Sequence, residues 1–464
     1  MDYEEHEATE ELIERFEQML KDNSVLFFDV HEFEALADHY MMTGSMKKAL
    51  LTTRYGIQQH PNAVNLPLKR AQLLAAYNRT DEALLELNRA EGLDPYNEEL
   101  FISRGMIFSK KGLSHQAIQM FEKAIEISED GPADVFMLIG NEYQNLKKYE
   151  KAIHFYKLAL EQDGEDELAL YNIAYCFDLT DGNEDSISFF TDFLDRNPYS
   201  EIGWYQLSVS YHNVSKLEEA LDAVDYAIVI DDEFAAAYHE KASILEDLEK
   251  YEDAISVYKE LIELDSPSGL AYLRISNAYK RMNNPRAALV YSIKATHEDP
   301  NLDEAWMERG LLLDEIGKLS EGIYFIRKAT ELSPTNTDYQ FICGTSNRKM
   351  GFLGESKENF QKLIELGHIE ARVWINLSDL LIEMEEYDNA MKVLSKGIDL
   401  NPEDPALNYT YAGYLYLIGS VDEAAGFLEN ALTLNSDIRS DFLKHFPLLA
   451  EHEQVKILLE KYQS

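Results

Sequence analysis

The sequence has little cysteine: Cys176 and Cys343 are the only two among 464 residues. Two distant thiols without a CxxC pair cannot form a disulfide framework, so we expect two small core residues in a reducing compartment. A signal peptide is also missing, because the acidic start MDYEEHEATEELIERFEQML has no basic segment followed by an apolar one. No apolar run reaches the length of a membrane span. We therefore expect a cytoplasmic protein without membrane insertion.

Basic residues are scarce as well. The chain has 42 Lys and Arg against 85 Asp and Glu, which gives a formal net charge of −43. Direct nucleic-acid binding is not expected, because it needs clustered Lys and Arg. The excess of acid would attract basic partners, or it serves only to keep a long surface soluble. Hydrophobic residues make up 45% of the chain, which excludes wholesale disorder.

Catalytic motifs are absent too. The sequence contains no GxxxxGK[ST] phosphate loop, no GxSxG nucleophile turn and no HExxH zinc motif. The segment HEFEA at His31 begins like the zinc motif but lacks its second histidine. The twelve histidines show no metal-ligand spacing. We therefore expect no enzyme activity, no cofactor and no metal site.

What the sequence does contain is a tandem repeat of constant length. Its units start at residues 30, 64, 98, 133, 167, 201, 235, 269, 303, 337, 371 and 405, with one residue inserted before 133. Position 8 of every unit is Ala, Gly or Ser, and position 20 is Ala in nine units and Ser or Gly in the other three. Small side chains let two helices approach closely, so this agreement predicts twelve antiparallel helical hairpins.

The pattern resembles the tetratricopeptide repeat (TPR) family, whose units have the same length. The resemblance implies an all-α fold, a solenoid of helical hairpins that forms a right-handed superhelix. We divide the chain into an acidic N-terminal amphipathic helix at 1–29, twelve repeats at 30–438 and C-terminal capping helices at 439–464. The two end segments would cover the apolar faces that a solenoid exposes at its ends.

Two repeats depart from the pattern at packing positions. Repeat five has Phe193 where alanine is usual, so we expect altered packing onto repeat six. Repeat ten has Gln340, Asn347 and Ser356 at three such positions. We expect repeat ten to be the least stable link of the chain or a site of local bending.

The resemblance also implies a binding surface, because the first helix of each TPR lines a concave groove. Positions 2, 5, 6, 9, 12 and 13 tend to face that groove, and in repeats four to six they carry amides and phenols in place of acid. Side-chain amides can bind an extended peptide backbone, and tyrosines add contact area at low entropic cost. The predicted peptide-binding residues are Asn141, Gln144, Asn145, Tyr171, Asn172, Tyr175, Tyr205, Gln206, His212 and Asn213.

A second candidate is a basic cluster in this acidic chain. It consists of Arg274, Lys280 and Arg281 in repeat eight and Arg348 and Lys349 in repeat ten. These side chains could clamp an acidic tail or a C-terminal carboxylate. Alternatively, the acidic residues Glu308, Asp314 and Glu315 of repeat nine simply neutralise them.

The sequence therefore predicts a non-catalytic scaffold or adaptor that binds an extended peptide or a helix of another protein in the concave groove. The alternative is an assembly or regulatory subunit whose acidic outer face docks a basic partner, such as a ribosome- or secretion-type machine. Salt separates the two hypotheses, because screening weakens docking between exposed charges far more than it weakens binding in a groove.

Overall fold

A computed structural model of the protein describes residues 3–22, 24–128, 133–164, 166–264 and 268–462. This part of the chain contains 27 α-helices and two short 3₁₀ turns, and no strand. The expected all-α fold is confirmed. None of the described helices combines the length and the apolar character that crossing a membrane would need. Both cysteines are free and buried, as expected.

Twelve helical hairpins follow one another along the chain. The first helices are α2 (Val30–Met42), α4 (Asn65–Ala76), α6 (Glu98–Lys110), α8 (Ala133–Asn145), α10 (Glu167–Asp178), α12 (Glu201–Asn213), α14 (Ala235–Asp247), α16 (Gly269–Arg281), α18 (Asp303–Glu315), α20 (Thr337–Lys349), α22 (Ala371–Glu383) and α24 (Pro405–Leu417). The second helices are α3 (Met46–Gln59), α5 (Thr80–Leu93), α7 (Ser114–Ile127), α9 (Tyr149–Gln162), α11 (Asn183–Leu194), α13 (Leu217–Ile230), α15 (Tyr251–Leu264), α17 (Pro285–Glu298), α19 (Leu319–Leu332), α21 (Leu353–Glu365), α23 (Tyr387–Leu400) and α25 (Val421–Leu434). Eleven of the twelve first helices begin at the residue that the repeat predicts, and α4 begins one residue later.

The small residues at position 8 are required by the ring or branched chain that packs against them. A Cβ atom on Gly105 or Gly140 would overlap the ring of Phe121 or Tyr156 on the second helix of the same hairpin. All four residues are buried. A larger side chain at position 8 would therefore push the two helices of a hairpin apart.

Each hairpin turns at position 15, and this residue has a positive φ in all twelve repeats. Glycine fills the position in five repeats, for example Gly112 with φ 71°. The other seven repeats use non-glycine residues, which are Asn78, Lys147, Asp181, Ser215, Glu249, Asn283 and Glu385. Left-handed backbone is unfavourable for most side chains, so the packed hairpin must impose this conformation at the seven positions.

The helices group into two compact units, residues 1–240 and residues 241–464. In the first unit, α1 (Tyr3–Asp22) packs its Phe16 ring edge-on against Phe28 at a centroid distance of 5.7 Å. In the second unit, α26 (Arg439–His445) begins one repeat length after α24 and is followed by α27 (Glu453–Lys461). The Phe446 ring lies against Gly413 of α24. These contacts support the proposal that the two end segments act as caps.

Candidate functional site

All ten predicted peptide-binding residues lie on three consecutive first helices of the first compact unit. The helix α8 carries Asn141, Gln144 and Asn145, α10 carries Tyr171, Asn172 and Tyr175, and α12 carries Tyr205, Gln206, His212 and Asn213. The side chains of Asp166 and Ser200 cap α10 and α12 by accepting hydrogen bonds from the backbone N–H groups of Ala169 and Gly203. Such caps fix the residue at which each helix begins, and so they set which side chains point outward.

Tyr171 and Tyr175 are the exposed aromatic residues of this region. They lie one turn apart on α10, and their exposed fractions are 38% and 51%. The opposite side of α10, with Leu170, Ile173 and Cys176, is buried in the core. The two phenols are therefore presented to solvent by a helix that is fixed from behind.

Tyr205 extends this surface onto α12. It occupies position 5 of its repeat, as Tyr171 does in the preceding repeat, and α10 and α12 are in contact. Its ring packs edge-on against Phe234 at 5.3 Å. Burial, together with Glu240 and Tyr171, raises the pKa of Tyr205 to about 12. We call Tyr171, Tyr175, Tyr205, Asn141 and Asn145 the tyrosine face.

The amides on α8 are oriented by a buried tyrosine of the same hairpin. The Tyr156 hydroxyl lies 2.8 Å from Asn141 Oδ1 and 2.8 Å from Gln144 Oε1, and it donates to one of the two at a time. Burial raises the pKa of Tyr156 well above its usual range, so this hydroxyl keeps its proton. The carbonyl oxygen of the exposed Asn141 is thus held toward Tyr156, which leaves its amide nitrogen as a donor for a ligand.

Besides Asn141 and Gln144, three more of the ten predicted residues have a buried or hydrogen-bonded side chain. Gln206 is only 6% exposed, because it lies on the side of α12 that also buries Leu207 and Ser210, so its assignment to the groove is corrected. His212 Nδ1 lies 2.8 Å from Glu240 Oε1. The exposed Asn213 donates from Nδ2 to Asn183 Oδ1 at 3.3 Å.

Carboxylates border the tyrosine face, and the sequence interpretation missed them. After burial, Glu167 and Glu201 are the groups that raise the pKa of Tyr171, and Glu240 acts in the same way on Tyr205. Acid therefore lies beside the phenols, although Glu167 and Glu201 occupy position 1 of their repeats and not the predicted groove positions. Glu167 and Glu201 start the helices of repeats five and six, where acid is ordinary capping chemistry, so their role beside the tyrosines gave no separate signal.

The basic cluster lies in the second compact unit, and most of its charges are neutralised there. Lys280 Nζ is 2.7 Å from Glu308 Oε2, and Lys349 Nζ is 2.9 Å from Asp314 Oδ2. Two of the three acids of repeat nine that could offset the cluster therefore do so.

The arginines of the cluster are paired less uniformly. Arg348 binds both oxygens of Glu383, with the shortest contact at 2.6 Å, and Arg274 lies 4.0 Å from Glu246. Within the described residues, Arg281 has no carboxylate within 4.0 Å. Four of the five cations are thus paired within the chain itself, and the geometry favours neutralisation over an open clamp.

Among the described residues, no group of three or more His, Cys, Asp or Glu side chains could hold a metal ion. The polar groups of the tyrosine face are hydrogen-bond donors and acceptors of ordinary reactivity. The arrangement can hold a backbone and side chains of another molecule.

Models of the tetratricopeptide repeat match residues 133–166, and also residues 98–130, 235–267, 303–336 and 371–404. The chain is 23% identical over 79% of its length to a TPR repeat-containing protein, MJ1428, from Methanocaldococcus jannaschii, and this match spans 63% of that relative. It is 22% identical to the TPR repeat-containing protein YpiA from Bacillus subtilis over 86% of each chain. Among solved structures, it is similar to YrrB, a TPR protein with an unusual peptide-binding site, with 22% identity and a TM-score of 0.33 over 40% of this chain and 94% of that one.

Proposed function

We propose that this chain, a member of the tetratricopeptide repeat family, is a cytoplasmic, non-catalytic scaffold that binds an extended segment of another protein along its tyrosine face. The observation that carries the proposal is the pair of exposed phenols, Tyr171 and Tyr175, on a helix whose other side is buried. Tyrosine is enriched at the energetic centres of protein interfaces, because it offers a large contact area with few rotatable bonds.

The chemistry of the face indicates what kind of segment fits. Asn141 and Asn145 are exposed amides that can satisfy the N–H and C=O groups of an extended backbone. Glu167 and Glu201 are the carboxylates that act on Tyr171, and they would attract a positive charge. A Lys or Arg side chain lying between the carboxylates and the phenol rings would gain both ion pairing and cation–π attraction. We therefore expect a segment that carries at least one basic residue.

A second candidate is docking of a basic partner on exposed acidic surface elsewhere, favoured by the net charge of −43. The two candidates respond differently to salt. The tyrosine face buries rings and amides, so binding there should persist at moderate ionic strength. Docking through exposed carboxylates should weaken steeply as the ionic strength rises.

The test is a comparative pull-down from native cytoplasm, read by mass spectrometry. The wild-type chain, a Tyr171→Ala/Tyr175→Ala variant and a Tyr96→Ala control would be used as baits at low and moderate salt. Tyr96 is a suitable control because it is exposed but lies in the connection between α5 and α6. We expect a partner that the wild type and the control retain at moderate salt and that the double variant loses. A partner retained equally by all three baits and released by salt would support the second candidate instead.

A further inference from the structure

Residues 266–297 contain no Asp or Glu, although 85 of the 464 residues of the chain are acidic. The same stretch carries the five basic residues Arg274, Lys280, Arg281, Arg286 and Lys294. It covers the helix α16 and all of α17 except its last residue, Glu298, in repeat eight. The first three cations belong to the basic cluster on α16, whereas Arg286 and Lys294 lie on α17.

One side of α17 combines apolar and basic side chains that all face solvent. This side consists of Arg286, Val290, Ile293, Lys294 and His297. Their spacing of four, three, one and three residues places them on a single face of the helix. Val290 is 53% exposed and Ile293 is 42% exposed, whereas Ala288, Ser292 and Ala295 on the opposite side are buried.

The charges on this face are available to a partner. Within the described residues, neither Arg286 nor Lys294 has a carboxylate within 4.0 Å. The Lys294 ammonium instead lies over the rings of Tyr272 and Tyr291, at 5.3 and 4.9 Å from their centroids. These contacts hold the ammonium in place without neutralising its charge.

The second helix two repeats earlier shows how unusual this face is. On α13 the residues at the same repeat positions are Glu218, Asp222, Asp225, Tyr226 and Val229. Three carboxylates there stand where α17 has Arg286, Val290 and Ile293. The substitution of acid by apolar and basic side chains is therefore confined to particular helices and does not follow from the repeat itself.

A longer acid-free stretch, residues 39–80, differs from residues 266–297 in how its cations are paired. Four of its six cations are paired with carboxylates, for example Lys48 with Glu17 and Arg70 with Glu86 at 2.9 Å. Its second helix α3 has no large hydrophobic side chain among the exposed ones. The combination of unpaired cations with exposed Val290 and Ile293 thus distinguishes α17.

We propose that the outward face of α17 docks an acidic segment of a partner protein, one that presents apolar side chains between its carboxylates. Val290 and Ile293 are β-branched residues that neither favour a helix nor gain from exposure to water, so a partner that covers them would gain apolar burial. Arg286 and Lys294 flank them and complement carboxylates. An anionic membrane is the poorer occupant, because membrane attraction needs about four to eight clustered cations and this face carries two, Arg286 and Lys294. This docking site is independent of the tyrosine face.

The probe is a fluorescein-labelled synthetic peptide of sequence EDFEDLLEEL, titrated with the full chain and followed by fluorescence anisotropy. Two further peptides, one with Glu and Asp replaced by Gln and Asn and one with Phe and Leu replaced by Ser, separate the charge contribution from the apolar one. We expect the wild type to bind the first peptide about tenfold more tightly than either control peptide. Equal binding of all three peptides, or no binding of the first, would overturn the proposal.

The matched variant is Val290→Asp/Ile293→Asp, which gives α17 the acidic residues that α13 carries at those positions. It should lower the affinity for the peptide at least about tenfold. Val229→Asp on α13, where the wild-type side chain is 81% exposed, is the control and should change nothing. Val290→Ala/Ile293→Ala, which favours the helix, serves if the aspartates disturb folding. Unchanged binding by both double variants contradicts the proposal, as does stronger wild-type binding to phosphatidylserine vesicles than to the peptide.

Discussion

The tyrosine face and the basic cluster both lie on first helices, at repeat positions that are expected to face the groove. Their side chains nevertheless differ in how far they are available to a partner. Tyr171 and Tyr175 remain exposed, whereas Lys280 and Lys349 are each held by a carboxylate of repeat nine. The reason is the composition of the chain. With 85 acids among 464 residues, four of the five cations of the basic cluster find a carboxylate in an adjacent hairpin. Among the described residues, the hydroxyl groups of Tyr171 and Tyr175 donate to no carboxylate, and so these two phenols stay available.

The basic cluster and the tyrosine face also differ in whether their side chains contribute to stability or to binding. In the second unit Arg348 connects the first helices of repeats ten and eleven through Glu383, and its other neighbour Asp379 accepts a hydrogen bond from Tyr414 at 2.5 Å. In the described part of the first unit, the Tyr171 and Tyr175 side chains form no hydrogen bond or ring contact with another helix. Substitutions in the basic cluster should therefore change the free energy of unfolding, and substitutions in the tyrosine face should change binding.

The largest effect is expected for Arg348→Ala. The change leaves Glu383 without its cation and removes Arg348 from the largely shielded Asp379, which keeps its contact with His445 Nε2 at 3.3 Å. We expect the free energy of unfolding of the second unit to fall by about 2 kcal/mol, since hydrogen bonds to charged groups contribute about 1.5–3 kcal/mol. Urea denaturation followed by circular dichroism measures this. The control is Arg281→Ala, which removes an unpaired cation and should change the value by less than about 0.5 kcal/mol. Equal unfolding free energies for the two variants would mean that ion pairs within the chain do not stabilise the basic cluster.

A smaller effect is expected for Tyr156→Phe, which removes the hydroxyl that orients the amides of the tyrosine face. Gln144 Oε1 and Asn141 Oδ1 then lose their donor, at a cost of about 1 kcal/mol in unfolding free energy. The same denaturation experiment measures it. Tyr175→Phe is the control, because the Tyr175 hydroxyl lies on an exposed ring and its loss should leave stability unchanged. If Tyr156→Phe matches the wild type, the amides are oriented by something other than Tyr156.

The smallest effect on stability is expected for Tyr175→Ala. Its ring is about half exposed on a helix that is packed from the other side, so the unfolding free energy should change by less than about 0.5 kcal/mol. Thermal melting of the variant beside the wild type is sufficient to measure this. A loss as large as that of Arg348→Ala would show that Tyr175 is a structural residue and would remove the contrast between the two regions.

The repeat pattern predicts the hairpins because their positions depend on local features that recur in every unit. The small residues at positions 8 and 20 indicate close helix packing directly, and the bounds of the first helices can be predicted from these positions. The left-handed turn residue at position 15 was not predicted. Seven repeats fill it with Asn, Lys, Asp, Ser or Glu, so the packing of two helices imposes a conformation that residue type does not reveal.

In repeat ten, the polar residues at packing positions form hydrogen bonds that the repeat pattern does not reveal. Gln340 donates to the carbonyl of Pro334 at 3.0 Å, which is the bond that Trp306 makes with Pro300 at the same repeat position. Asn347 is buried, but it donates to Asn359 at 2.9 Å and accepts from Arg327 at 2.6 Å. These partners come from other positions and from the preceding repeat. The network argues against the expectation that repeat ten is the weakest link.

Repeat five departs from the repeat pattern because Phe193 is larger than the usual alanine, and its surroundings differ from those in repeat ten. Phe193 is buried, and its ring lies against Gly203 at the start of repeat six, where a Cβ would come within 3.0 Å. The helix α11 that carries it has 12 residues, whereas its neighbours α9 and α13 have 14. Polar groups at a packing position can be satisfied in place by hydrogen bonds. An added ring has to displace its neighbours, here by shortening a helix and using a glycine in the next repeat.

The most direct test of the proposed function is calorimetry with the partner segment that the pull-down identifies. Tyr171→Ala and Tyr175→Ala should each weaken binding by about 1–2 kcal/mol, as expected for aromatic anchors of an interface. Lys280→Ala and Tyr96→Ala should bind like the wild type, because Lys280 is already paired with Glu308 and Tyr96 lies away from the face. Normal binding by both Tyr171→Ala and Tyr175→Ala, together with weaker binding by Lys280→Ala, would contradict the account and assign the partner to the basic cluster.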